Sequence, residues 1–282
     1  MIYYLMIIVA TFLFSLQFLF NSKYADENGN TWNASLRFSL YASLSGFIAL
    51  AVINEFKFNI SLFSVIVAAV YSVICISLGY VSIKSFKYAN LSVYSVFAMI
   101  GGMILPFIYG IICGEEFKLI RVICCVLIAW CVSLSINKQG GQKQAIKYYI
   151  AVFILNGMVG IVSKFHQSYL ELCVDSGSFM MLTKIFTVIF CFSLLLLQKE
   201  RKFSVSKKAA LYTVFYSVVN SVGNLLLLIA LLHVPASVQY PIVTGGTIVV
   251  STIFSLIRGD KVLRKELYPV VIAFVATVFM AL

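Results

Sequence analysis

Two basic side chains stand inside runs of sequence that are otherwise apolar. Arg37 lies about a turn and a half into one such run, and Lys184 lies in the body of another. A charge at membrane depth is costly, so it marks a functional site by default and calls for a partner. Each could contact an anion or carboxylate in a cavity, or form an ion pair that ties helix ends together. Other polar side chains share these surroundings: Tyr71, Tyr94, Tyr216, Gln239 and Tyr240, with Gln17, Asn156, Asn220 and Asn224 as further candidates. A few hydroxyls and amides set in an apolar pocket are the usual make-up of a small-molecule site. The same groups could also form hydrogen bonds between helices, worth about 0.6–2 kcal/mol each.

Several kinds of chemistry are missing. The sequence has no HExxH, no GxSxG and no acidic pair suited to holding magnesium at a polyprenyl phosphate. His166 and His233 fall near helix ends without an evident carboxylate partner. The seven cysteines (Cys75, Cys113, Cys124, Cys125, Cys131, Cys173 and Cys191) have no CxxC spacing and mostly occupy apolar stretches. They read as small packing residues rather than disulfides or metal ligands. No catalytic residue, metal or cofactor is expected. No Asp or Glu falls within the apolar runs, which argues against an exchanger of proton for organic cation centred on an embedded carboxylate.

The elements that must position these residues follow from composition. Of 282 residues, 62% are hydrophobic and 11% charged, where soluble domains have roughly 45–50% and about 25%. The surplus apolar surface requires a bilayer. Ten runs reach or approach the roughly 20 residues that cross its hydrocarbon layer: 2–20, 32–53, 60–81, 89–112, 119–136, 148–162, 179–197, 209–232, 236–257 and 267–282. They are continuously apolar rather than alternating, which predicts helices and excludes a barrel. The first run lacks a charged leader and a cleavage site, and is expected to remain in the mature chain. The net charge of +11 suits loops that meet anionic headgroups; nucleic acid is not an expected partner.

The two halves resemble each other. Tyr71-Ser72-Val73 aligns with Tyr216-Ser217-Val218, and without a gap Ser92-Val93 then meets Ser237-Val238, Gly101 meets Gly246 and Gly114-Glu115 meets Gly259-Asp260. From Tyr71 to Glu115 this alignment gives nine identities. With slightly different offsets, Ser22-Lys23-Tyr24 resembles Ser163-Lys164-Phe165 and Arg37 resembles Lys184. The expected organisation is a first five-helix repeat over 1–137, a connecting loop over 138–145, and a second repeat over 146–282. Five spans are an odd number, so the second repeat must enter the membrane inverted, the architecture of secondary transporters. Inversion brings Asp260 to the face of Arg37 and Glu115 to that of Lys184, which permits the pairs Arg37–Asp260 and Lys184–Glu115. Pro106 and Pro241 fall inside their spans and favour kinks. The glycines, including the GxxxG from Gly110 to Gly114, permit close helix approach.

These motifs carry a resemblance. The first half has Lys87-Tyr88-Ala89-Asn90-Leu91-Ser92, Gly101-Gly102, Pro106 and Gly114-Glu115, with Leu36-Arg37-Phe38 in its second span. The second half has Ala230-Leu231-Leu232-His233-Val234-Pro235-Ala236-Ser237, Pro241, Gly245-Gly246 and Gly259-Asp260. The chain resembles the EamA-type branch of the drug/metabolite transporter (DMT) superfamily along essentially its whole length. It departs from that pattern at Ser251, where the repeat would place a second Pro106, and at Asp260, where Glu would stand. The resemblance implies an integral protein of a bacterial plasma membrane, monomer or homodimer, moving a small metabolite by alternating access as an exporter. The residue inventory points to zwitterionic, amino-acid-like or neutral amphipathic cargo. Substrate-binding candidates are Tyr94, Tyr240, Gln239, Tyr71, Tyr216, Arg37 and Lys184. A flippase of a lipid-linked intermediate would share this fold, and an intramembrane enzyme is the other alternative. The family arrangement puts both termini in the cytoplasm. The charge distribution argues the reverse, because the loops on the termini's side hold only Lys57, Lys118, Arg121 and Lys164, and most of the 21 basic residues fall opposite.

Overall fold

The structure, a computed structural model, describes residues 2–87, 91–114, 119, 123, 126, 142–198, 203–258, 271, 272 and 275. Eight long helices account for nearly all of them: α1 (Ile2–Asn28), α2 (Trp32–Ile53), α3 (Leu62–Ser85), α4 (Leu91–Ile112), α5 (Gln142–Ser168), α6 (Ser176–Leu196), α7 (Lys207–Leu231) and α8 (Ala236–Arg258). The described residues contain no strand. Seven of the helices hold a stretch long and apolar enough to cross a membrane, and α4 adds a shorter one, Phe97–Ile112. This is the build of a polytopic membrane protein. The expected spans 119–136 and 267–282 fall outside the described residues except at 119, 123, 126, 271, 272 and 275.

The helices run longer than hydropathy alone sets them. The first continues past Phe20 to Asn28, and α5 begins at Gln142 rather than 148. Polar ends of this kind project beyond the hydrocarbon layer, where an apolar count cannot find them. Local chemistry sets several boundaries. Thr31, Ser61, Asp175 and Ser206 are N-caps whose side chains accept from Ala34, Ser64, Ser178 and Ala209 N–H, at 2.9–3.2 Å. Each satisfies a backbone donor that the first helical turn leaves open. Gly29, at φ 74°, closes α1 by donating its N–H to Ala25 O.

Packing inverts the usual soluble pattern. Large apolar side chains such as Ile48, Ile66 and Leu211 point outward, while serines and threonines fill the interior. Ser15, Ser72, Ser217, Ser221, Thr183 and Thr247 are all buried. Many of these hydroxyls donate to the carbonyl four residues back, as Ser72 does to Ala68 O at 2.7 Å and Thr213 to Ala209 O at 2.8 Å. Those hydroxyls are thereby satisfied without water, whereas the buried Ser221 Oγ has no partner among the described residues.

Helices of the first four pack chiefly on helices of the last four. α1 lies against α7 and α8, α5 lies against α3 and α4, α2 meets α6 and α7, α3 meets α6, and α4 meets α8. Hydrogen bonds cross the same boundaries: Ser72 Oγ shares its one hydrogen between Ala68 O and Thr183 O, the latter at 2.8 Å, and Thr244 Oγ1 donates to Met99 O at 3.2 Å, Thr247 Oγ1 to Thr11 O at 3.3 Å and Ser217 Oγ to Ala42 O. Glycines bring backbones together in the same places. A Cβ at Gly101 would strike the main chain of Phe153, one at Gly160 would strike Pro106, and one at Gly246 would strike Thr11.

Candidate functional site

All eight helices surround one central cavity of about 180 Å³. Tyr71, Tyr94, Tyr216, Tyr240 and Lys184 all line it, as do Gln17, Asn156, Asn220 and Asn224. The structure thus gathers residues from 14 to 244 into a single space. Pro106, inside α4, packs against Gly160 and so shapes the α4–α5 wall.

Lys184 anchors its polar side. Nζ donates to Asn220 Oδ1 at 3.3 Å, the Asn220 amide nitrogen donates to Gln17 Oε1, and Asn224 Nδ2 donates to Asn220 O at 2.8 Å. One chain of amides therefore links α6, α7 and α1. The tyrosines supply the aromatic side. Tyr94 shares a 2.6 Å hydrogen bond with Ser82 Oγ and meets Phe18 edge to face, and Tyr240 donates to Gly160 O at 3.4 Å. Tyr71 packs edge-on against Phe179 of α6, and Tyr216 packs against Phe38 of α2.

Two candidates lie elsewhere. Gln239 is fully buried but donates from Nε2 to Leu227 O at 2.8 Å. One residue is 100° of helix, so with Tyr240 turned into the cavity its neighbour faces α7. Arg37 also stands outside the cavity lining. Its Nη1 donates to Ser204 O at 2.8 Å, and Tyr41, one turn further along α2, donates to Phe203 O at 2.8 Å. That stripe of α2 holds the α6–α7 link, whereas Phe38 and Ala42 hold the cavity. Asp260 and Glu115, the ion-pair partners expected for Arg37 and Lys184, lie outside the described residues.

Sequence reasoning missed Cys75, Ser82, Ser163 and Thr187, which also line the cavity. Only their small size and their place a turn or two from a candidate could have flagged them. Cys75, Cys113, Cys173 and Cys191 are free thiols, and Cys124, Cys125 and Cys131 lie outside the described residues.

Polar contacts also join the bundle at the end where α2 finishes and α3 and α6 begin. Asn59 donates its backbone N–H to Ser178 Oγ and its side-chain amide to Asp175 Oδ1, both at 2.9 Å. Burial disfavours the Asp175 carboxylate, but hydrogen bonds from Ser178, Asn59 and Asn54 outweigh it and hold its carboxyl below the usual range. Ser64 Oγ accepts from Val174 N–H at 3.0 Å, lies 2.9 Å from Ser61 Oγ, and shares a 2.9 Å hydrogen bond with His166 Nε2. His166 stacks on Phe179, and His233 stacks on Tyr3.

No protein-family model matches the chain, and no curated protein matches it. A solved structure titled "Crystal structure of protein" superposes with a TM-score of 0.64 over 97% of this chain and 95% of that one, at 12% identity. At that identity the likeness is one of fold alone.

Proposed function

We propose that the chain is a secondary transporter of the EamA type, built from ten spans as two inverted five-helix repeats, which carries a small metabolite by alternating access through the central cavity. The observation that carries this reading is the matched use of the aligned Tyr-Ser pairs. Tyr71 and Ser72 of α3 address α6, through the Phe179 ring and the Thr183 carbonyl. Tyr216 and Ser217 of α7 address α2, through the Phe38 ring and the Ala42 carbonyl. A repeat that pairs α1–α4 with α5–α8 requires this exchange. Other contacts obey it too: α1 on α7 has its mate in α5 on α3, and α4 on α5 has its mate in α8 on α1. The aligned glycines Gly101 and Gly246 serve those last two contacts. A cavity at the meeting of inverted repeats is where such carriers hold cargo, and its aromatic and amide lining suits a zwitterionic or neutral amphipathic solute.

The test is counterflow of labelled metabolites in proteoliposomes, with Tyr94→Phe and Tyr240→Phe compared with the parent. Each substitution keeps the ring and removes one hydroxyl. Folding should be retained, and transport should fall by a factor equivalent to about 0.5–1.5 kcal/mol each. Flux unchanged in both variants would remove these tyrosines from the cargo site, and absence of flux for every metabolite tried would remove the transport reading.

A further inference from the structure

Resting on that transport reading, we propose that the solute carries a carboxylate and that Lys184 receives it. Among the described residues, Lys184 is the only charged side chain lining the cavity. Its ammonium has three hydrogens to place, and Asn220 Oδ1 takes one. An ion pair among the described residues joins Lys57 to Glu55, both well exposed and outside the cavity lining. Neighbouring amides and hydroxyls can solvate the lysine but cannot balance its charge, and a cation withdrawn from water without a counter-charge is strongly disfavoured. A carboxylate on the solute would supply the counter-charge that no described residue beside Lys184 supplies.

The lysine is also held in place. A Cβ built on Gly46 of α2 would lie 3.2 Å from Lys184 Cε and closer still to Ser217 and Ser221. Bare backbone thus packs against the side-chain stem and leaves the ammonium directed at Asn220. A carboxylate set there accepts from Nζ and lies within the run of amides formed by Gln17, Asn220 and Asn224. The aromatic wall of the cavity takes the remainder of the solute.

One cation matches one negative charge, so the class is a small monocarboxylate, including zwitterions. Depth separates this from a lipid phosphate. Lys184 lies eight residues beyond the start of α6, about 12 Å along the axis at 1.5 Å per residue. That places it toward mid-membrane, away from headgroup level.

The test uses the full-length chain in phosphatidylcholine nanodiscs at constant ionic strength. Thermal unfolding is followed with acetate, glycine, alanine, leucine and phenylalanine, each beside its amide, which lacks the carboxylate charge; the amino-acid pairs are compared at a pH where the amide's amine is neutral as well as at pH 7. At least one acid should raise Tm while its amide does not. Lys184→Gln should weaken that acid's apparent affinity at least tenfold, and Lys184→Arg should restore most of it. Should Lys184→Gln fail to fold, the acid-against-amide comparison on the parent, with Lys184→Arg, still decides the question. No shift with any acid, equal shifts with acid and amide, or a shift that survives Lys184→Gln would each overturn the proposal. So would anionic phosphatidylglycerol reproducing the shift and abolishing the acid's effect, because the charge would then come from lipid. Lys184-dependent binding without flux in proteoliposomes would sink the transport reading and leave the carboxylate site standing. Flux that is indifferent to Lys184 and to the acid group would do the reverse.

Discussion

A disulfide between cysteines placed at 59 and 178 stops transport, and reductant restores it. Asn59 lies in the α2–α3 link and already touches Ser178 of α6 through a 2.9 Å hydrogen bond, so the chain segments are close enough for a short covalent bridge. At the opposite end of α2 a second contact joins the α6–α7 link to α2, through Arg37 to Ser204 O and Tyr41 to Phe203 O. Under the proposed repeat, each link clasps the start of the counterpart helix in the other half. The proposed alternating access has to part the two clasps in turn. A covalent bond across one of them confines the cavity to the other end, and flux should fall at least a hundredfold. The experiment replaces the seven native cysteines, introduces Asn59→Cys with Ser178→Cys, and follows counterflow before and after dithiothreitol. A cross-linked protein that transports at the parent rate would show that this contact is no gate.

Gly101→Val leaves little folded protein, whereas Gly102→Ala is tolerated. The two glycines are adjacent on α4, but they meet different kinds of neighbour. A Cβ at Gly101 would overlap the backbone of Phe153 on α5, while one at Gly102 would lie 2.7 Å from the side-chain amide of Asn156. Backbone cannot yield without separating the helices, and the crowding reaches Gly157, whose own Cβ would lie 2.6 Å from Gly101 O. Overpacking of this kind costs about 3 kcal/mol or more. The Asn156 amide can swing aside, at the cost of its 2.6 Å bond to Ala98 O, a loss of about 1 kcal/mol. Thermal unfolding and size-exclusion behaviour in detergent measure both. Equal stability of the two variants would contradict so close an α4–α5 contact.

Much of this architecture is legible in the sequence because a bilayer permits few solutions. Long apolar runs have to be helices there, and the extents of α2, α4 and α8 follow closely from hydropathy. The cavity was partly legible as well. Tyr71, Tyr94, Tyr216, Tyr240 and Lys184 stand out as polar groups at membrane depth, and all five reach it. Depth, however, carries no information on rotation. Arg37 and Gln239 are as deep as residues that line the cavity, yet they turn toward Ser204 and Leu227. Which side of a helix looks inward depends on its neighbours, and apolar periodicity is faint when lipid and core are both apolar. The contact of Asn59 with Asp175 and Ser178 was illegible for another reason, since it joins loops more than a hundred residues apart.

The most direct test of alternating access uses Cys75, a native thiol on α3 that lines the cavity. With the other cysteines replaced and transport activity retained, a small membrane-impermeant thiol reagent is applied to vesicles of each orientation. Access in turn from both ends predicts that Cys75 is modified from either side of the membrane, and that transported solute slows the reaction from both. Modification from one side alone, while transport continues, would contradict the account.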